Sequence, residues 1–291
     1  MTGVLGEVAR LRQLIRVTLT NTPTARGRAT AVPWRFFLLA YAVSWFLWGL
    51  ALLQAFGGMS VPGAQLLPYA GAFGPCIAAI VCTSVEGRAA MERLLRGMLA
   101  ARQSWIGYVV ALFLMPASMT LATVFSGRPR MNAGTPPVPM QPVVLVMMFV
   151  SVLFAAGVGE ETGWRGYALP RILGRFRPLT GSVVLGCVWA VWHAPLFLLP
   201  STVQHQILSV VGGLLFLAFC ICWSVLFTWL YLGTRGSLFM AILFHATSDF
   251  ASIFLRPLDS KVVLGILTLL MAAAAIALLL AGKIPEYAKG Q

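Results

Sequence analysis

The stretch that decides the fold is "VVLVMMFVSVLFAAGVGEETGWRGYALP", residues 143–170. Its apolar part is long enough to form most of a membrane-spanning helix, which needs about 20 residues. The run ends in two adjacent glutamates, Glu160 and Glu161, and an arginine, Arg165. Ionisable groups are costly in a bilayer and usually face a polar interior or a water-filled cavity. The stretch therefore predicts a helix that crosses the membrane and carries a polar site.

The rest of the chain repeats the apolar pattern. Hydrophobic residues make up 59% of the 291 positions and charged residues only 10%, against about 25% in a soluble domain. We therefore predict an all-α, polytopic transmembrane helix bundle in a lipid bilayer. Its eight predicted spans lie at 36–56, 66–85, 105–125, 143–166, 180–199, 207–232, 237–255 and 262–282.

Arginines are concentrated in alternate connections between these spans. The connections 86–104 and 167–179 are rich in arginine, whereas 57–65 and 200–206 carry no Lys, Arg, Asp or Glu. Because positive residues mark cytoplasmic loops, this alternation predicts that both termini lie in the cytoplasm. It also accounts for the net charge of +13, so we predict no nucleic-acid partner.

Five ionisable residues fall inside predicted spans or at their ends. They occur in the segments "GEETGWRG", "WAVWHAP" and "FHATSDF", and they are Glu160, Glu161, His193, His245 and Asp249. Counting about 1.5 Å of helix per residue from the cytoplasmic ends, we expect depths of about 12 to 20 Å for the histidines and the aspartate. We therefore predict a single cavity in the cytoplasmic half of the bilayer.

The spacing within each segment predicts local pairs. Glu161 and Arg165 are four residues apart, so they share a helix face and can pair, as can His245 and Asp249. Glu160 is rotated by about 100° from Glu161 and can point into the cavity instead. The glutamates lie among small residues that let neighbouring helices approach closely. These are Gly157, Gly159, Gly163 and Gly166.

This combination of residues predicts hydrolysis of an acyl bond. Glu160 can act as a general base toward water. His193 and His245 can donate to a developing oxyanion, or bind a metal that does the same work. Asp249 can orient the imidazole of His245 or help to hold a water. The chain has no HExxH motif, so a thermolysin-like zinc site is not indicated.

At these residues the sequence resembles the CPBP family of intramembrane proteases, the CAAX prenyl protease and bacteriocin-processing (Abi) group. The EExxxR motif is matched by Glu160, Glu161 and Arg165, and the HxxxN or HxxxD motif by His245 and Asp249. The FxxxH motif keeps its histidine, while a tryptophan replaces the phenylalanine. The resemblance implies an intramembrane endopeptidase that uses a glutamate or a metal. It leaves open whether zinc or no cofactor is bound, with Glu160 and the two histidines as candidate ligands.

The predicted spans and the resemblance together divide the chain into four parts. We predict a basic cytoplasmic tail over 1–33 with a possible amphipathic helix, three spans over 34–142, a CPBP-like catalytic core over 143–255, and the last span with a cytoplasmic tail over 256–291. The predicted partner is a peptide or membrane-protein substrate. The oligomeric state is not indicated.

The composition bears on the source and hence on the substrate. Arginine far outnumbers lysine, and alanine and glycine abound, as is typical of a GC-rich bacterial genome. We therefore predict an integral protein of a bacterial cytoplasmic membrane. Protein prenylation is not expected in a bacterium. The word CAAX therefore only names the family, and we do not predict a CAAX substrate.

Two other functions are compatible with the same residues. A proton-coupled transporter would use them as a relay, although such proteins usually contain internal repeats and none is evident in this sequence. A non-catalytic membrane scaffold or immunity protein would keep them for folding. In that case Glu161 and Arg165 form a structural ion pair, and the histidines make interhelical hydrogen bonds.

Overall fold

A computed structural model describes residues 32–58, 60, 62–127 and 141–281. Over these ranges the chain is helical and contains no strand, which confirms the predicted all-α bundle. The predicted N-terminal amphipathic helix and the C-terminal tail from residue 282 lie outside the described residues.

Ten helices follow one another along the described ranges. They are α1 (Trp34–Ala55), α2 (Leu67–Gly71), α3 (Gly74–Glu86), α4 (Arg88–Met98), α5 (Trp105–Phe125), α6 (Pro142–Leu173), α7 (Pro178–Leu198), α8 (Val210–Gly233), α9 (Leu238–Leu255) and α10 (Lys261–Leu280). Short 3-10 turns cover Ala64–Leu66, Gln204–Ile207 and Pro257–Asp259.

Seven helices of the described chain are long and apolar enough to cross a membrane. The predicted second span, 66–85, is instead a pair of helices, Ala64–Gly71 and Gly74–Glu86, bent by 50°. Pro68 and Pro75 each lie in the first turn of their helix, where a proline is tolerated, and so they separate the two pieces. The prediction of eight spans holds only if this bent pair counts as one.

Helix α4 forms where the sequence predicted only an arginine-rich connection. Its arginines and Glu92 alternate with apolar residues at helical spacing, so it has one basic face and one apolar face. Leu94 on the apolar side is buried against the bundle. The amphipathic pattern therefore attaches α4 to one end of the molecule.

Helix α6 is longer and less regular than predicted. It changes from α to π geometry over Leu153–Val158, returns to α over Gly159–Gly163, and is π again over Trp164–Ala168. The predicted end at 166 is wrong, because the helix continues to Leu173. The polar residues that suggested an end at the membrane surface are buried by neighbouring helices instead.

The glycines of α6 allow this burial. A Cβ atom on Gly163 would lie 2.5 Å from the Cβ of Pro75, and one on Gly157 would lie 3.0 Å from the backbone oxygen of Ile242. The first distance is too short for two carbon atoms, and the second is tighter than ordinary van der Waals contact. The predicted close approach of neighbouring helices is thus confirmed, with α3 on one side of α6 and α9 on the other.

Candidate active site

One carboxylate oxygen of Glu161 is shared by two cationic or polar partners. Arg165 Nη1 donates to Glu161 Oε1 at 2.8 Å, which confirms the predicted pair. His245 Nδ1 lies 2.7 Å from the same oxygen. Glu161 and Arg165 are both 0% exposed. Glu161 therefore connects α6 with α9 through His245, in addition to its contact with Arg165 within α6.

The guanidinium group of Arg165 is enclosed by aromatic rings. Its Cζ atom lies 3.8 Å from the ring centroid of Phe227 and 4.9 Å from that of Trp189. A cation over an aromatic face is stabilised most where water is excluded. These rings hold the arginine in place, so the charge of Glu161 is balanced within the protein.

Glu160 points away from this pair and toward α7. Its Oε2 atom accepts a hydrogen bond of 2.8 Å from the indole N–H of Trp189. The backbone oxygen of Trp189 in turn lies 2.8 Å from His193 Nδ1. The predicted divergence of the two adjacent glutamates is therefore observed, and Trp189 connects Glu160 with His193.

Asp249 faces His245, as the spacing predicted, but without a direct hydrogen bond to it. The distance from His245 Nε2 to Asp249 Oδ2 is 3.8 Å, which is too long for a hydrogen bond. Glu161 provides the short contact to the imidazole instead. The spacing rule detects pairs within one helix, whereas Glu161 and His245 lie 84 residues apart. The side chain of Asp249 is 39% exposed and borders a cavity.

The candidate side chains other than Glu161 and Arg165 line a cavity of about 160 Å³. Glu160, His193, His245 and Asp249 all line it, among walls of tryptophan and phenylalanine. Glu161 and Arg165 lie behind the wall rather than on it. The predicted convergence in one cavity is thus observed for four of the six candidates, and the other two support it from behind.

The predicted position of the cavity is wrong. The sequence placed it toward the arginine-rich end, but its lining includes Pro68, Gln204 and Pro257, which belong to connections at the opposite end. Depth counted along a helix does not show which way a cavity opens. Here the bend before α3 and the turn at His193, between Pro178–Trp192 and Ala194–Leu198, leave room at that opposite end.

The hydrogen bonds determine which nitrogen each histidine presents. Carbonyl and carboxylate oxygens only accept, so His193 and His245 donate from Nδ1. Each Nε2 is then left for the cavity, where it accepts when the ring is neutral and donates when it is charged. This is also the atom that a zinc ion takes from a neutral imidazole.

The acidic and imidazole groups do not form a ready metal site. Within the described ranges no group of three or more His, Cys, Asp or Glu side chains is placed to hold one ion. The candidate ligands Glu160, His193 and His245 share a cavity without forming such a group. We therefore derive no chemical step through a metal.

Sequence reasoning missed two parts of the site. Trp189 was identified only as a replacement in a motif, although its N–H contacts Glu160. The ring of Trp223 lies 5.1 Å from that of His245 and also borders the cavity. Trp189 could have been predicted, because it lies four residues before a buried histidine on the same helix. Nothing in the local sequence indicated Trp223.

The fold and the site define a class, namely a polytopic membrane protein with carboxylate and imidazole groups gathered inside its helix bundle. Residues 142–251 match the family described as Type II CAAX prenyl endopeptidase Rce1-like. The CAAX prenyl protease 2 of Methanococcus maripaludis is 36% identical over 102 residues, which are 33% of this chain. The matched part spans 38% of that protein's length. The resemblance to the CPBP family is thus confirmed over the segment that carries all six candidate residues.

Proposed function

We propose that the protein is an intramembrane endopeptidase that cleaves a membrane-associated peptide or protein. One observation carries the proposal: Glu160, His193 and His245, from three separate helices, line the same cavity. The match of residues 142–251 to a prenyl endopeptidase family supports the same reaction class. Peptide hydrolysis needs a base for water and a donor for the oxyanion, and both are available there.

Glu160 is the general base of this proposal. Trp189 donates to one carboxylate oxygen and fixes its direction, while the second oxygen takes a proton from a water in the cavity. The water oxygen forms a bond with the scissile carbonyl carbon. The carbonyl oxygen becomes an oxyanion. The Nε2–H group of His193 or His245 stabilises it when that imidazole is charged, because the neutral ring keeps its proton on Nδ1.

Collapse of the tetrahedral intermediate completes the reaction. The carbon–nitrogen bond breaks, and the proton held by Glu160 passes to the leaving amine. The oxyanion returns to a carbonyl within the new carboxyl group, so atoms and protons balance. Glu161 takes no part in these transfers, since it is buried away from the cavity and its Oε1 atom is engaged by Arg165 and His245. It is a positioning residue that sets the ring of His245.

The size of the cavity limits what can enter. A volume of about 160 Å³ is below the roughly 300–1,000 Å³ of sites that enclose a drug-sized ligand. Only a short length of an extended peptide fits beside Glu160, and the rest of a substrate remains outside the mouth. The exposed carboxylate of Asp249 lies where an incoming backbone N–H would be bound.

The mouth of the cavity implies a direction of approach. Arginines concentrate at one end of the bundle, and by the positive-inside rule that end is cytoplasmic. The cavity is lined by residues of the connections at the other end of the bundle. We therefore propose that substrates approach from the non-cytoplasmic side. An impermeant thiol reagent applied to intact cells tests this. With the five native cysteines replaced by alanine, we expect it to label Gln204→Cys and not Arg96→Cys, and the reverse pattern would contradict the proposed direction.

Cleavage is tested with purified protein and two quenched fluorescent peptides. One is a CAAX peptide with a farnesyl group as its prenyl group, since the Methanococcus relative is named a CAAX prenyl protease, and the other is the same peptide without the lipid. We expect cleavage by the wild type and none by Glu160→Gln. Absence of cleavage for both peptides and for a library of membrane-anchored peptides would contradict endopeptidase activity.

A further inference from the structure

A second and larger cavity lies at the arginine-rich end of the molecule. It measures about 540 Å³ and is enclosed by α4, the last turns of α6 and the connection from α8 to α9. Four arginines line it, together with the tyrosines Tyr167 and Tyr231, and its lining contains no aspartate or glutamate. We call it the arginine cavity, defined by Arg93, Arg96, Arg171 and Arg235.

Two of the four arginines are already engaged. Arg96 pairs with Glu92 at 2.9 Å, and Arg171 pairs with Glu86 while stacking 3.5 Å above the ring of Tyr167. For Arg93 and Arg235, the described residues provide no hydrogen bond or ion pair. The cavity thus presents two uncompensated guanidinium groups beside two that are fixed, an arrangement that attracts an anion with several acceptor oxygens.

The surroundings of the cavity indicate where that anion comes from. Large apolar side chains are exposed around the same end, including Leu95, Leu99 and Trp105, the last of which is 73% exposed. Tryptophan at a helix start is typical of the membrane–water interface, and an amphipathic helix such as α4 lies in the plane of that interface. Basic pockets between helices at the cytoplasmic surface are suited to phosphorylated lipid head groups.

We propose that the arginine cavity binds the phosphate head group of an anionic phospholipid. The phosphate oxygens bridge Arg93 of α4 and Arg235 of the α8–α9 connection, and the acyl chains run along the exposed apolar side chains. The cavity does not touch the proposed catalytic groups, so this binding is independent of peptide cleavage.

The test compares lipids and variants in nanodiscs that contain the full chain. Thermal stability and lipid retention are measured in phosphatidylcholine, with phosphatidylglycerol or inorganic phosphate added. We expect phosphatidylglycerol to stabilise the wild type. Arg93→Ala/Arg235→Ala should bind it about 10- to 30-fold more weakly, because each arginine near a surface contributes roughly a fivefold effect.

A matched control removes the same charge from the same end. Arg102 and Arg177 are exposed and do not line the cavity, so Arg102→Ala/Arg177→Ala should retain the wild-type response. An equal loss in the control would overturn the proposal in favour of bulk charge. Equal stabilisation by millimolar inorganic phosphate would overturn it in favour of a free anion. If the alanine pair fails to fold in phosphatidylcholine, Arg93→Gln/Arg235→Gln replaces it and the same outcomes apply.

Discussion

The two cavities lie toward opposite ends of one bundle and differ in charge, size and walls. The smaller is lined by Glu160, Asp249 and two histidines among aromatic rings, whereas the larger is lined by arginines. Between them lies the buried pair of Glu161 and Arg165, both completely covered. If both cavities act as proposed, the ionisable groups of this protein have three separate tasks, namely chemistry, structure and surface binding. Substituting one group of each kind should produce three distinct effects.

The largest expected effect is on chemistry. Glu160→Gln keeps the shape of the side chain and its hydrogen bond with Trp189, but it removes the basic oxygen. Loss of a general base typically lowers the rate by about 10²–10⁴-fold. We expect this loss in peptide cleavage with an unchanged melting temperature in detergent. Glu92→Gln, at the other end of the molecule, is the control, and full activity of Glu160→Gln would contradict the proposed base.

The next effect is on stability and concerns the neighbouring glutamate. Glu161→Gln leaves the buried Arg165 without a counter-charge and alters the contact with His245. Breaking a buried pair typically costs about 3–5 kcal/mol. We therefore expect a marked fall in melting temperature in addition to any loss of cleavage. If both glutamine variants lowered the melting temperature equally, the contrast between Glu160 and Glu161 would be lost, and a structural role for both would be favoured.

A smaller effect is expected where α6 packs against α3. Gly163→Ala places a Cβ atom 2.5 Å from Pro75 Cβ and 2.6 Å from its backbone oxygen, so α3 and α6 must separate. Overpacking of this kind typically costs about 1–3 kcal/mol. Gly213→Ala in α8 is the matched control, because its Cβ meets nothing within 4 Å. Melting temperatures of the two variants check this, and equal values would show that the approach of α3 to α6 is not tight.

The smallest effect is on the orientation of the base. Trp189→Phe removes the N–H donor to Glu160 and retains an aromatic ring. A hydrogen bond to a charged group is worth at least about 1.5 kcal/mol, so we expect roughly a tenfold fall in kcat with little change in KM. Trp34→Phe, at the exposed start of α1, should leave both values unchanged. A change in KM alone would assign Trp189 to substrate binding instead of to the positioning of Glu160.

Some of this architecture follows from the sequence because its cause is local. Long apolar runs predict the spans, and a spacing of four residues predicts the pair of Glu161 and Arg165. The same rule predicts that His245 and Asp249 face each other, and they do at 3.8 Å, but the short contact to His245 comes from Glu161. That contact joins two helices, and the spacing of residues within one helix cannot predict a contact between helices.

The end of the bundle at which the cavity opens could not be predicted from the local sequence either. Depth along α7 and α9 is set by residue count, but the opening depends on the bend between α2 and α3 and on the break at His193. Both features come from packing of several helices at one end. The arginine cavity was missed for a related reason, since arginines from three parts of the chain meet only after α4 packs against the bundle.

The two π segments of α6 have a consequence for motion. They flank Gly159–Gly163, the single α-helical turn that carries both glutamates. Helices bend most readily at such turns, which frequently occur at functional sites. A rotation of this turn between the two π segments would redirect Glu160, and the contacts of Glu161 with Arg165 and His245 oppose it. Opening of this segment would expose its backbone amides to exchange with solvent earlier than those of the regular helices on either side.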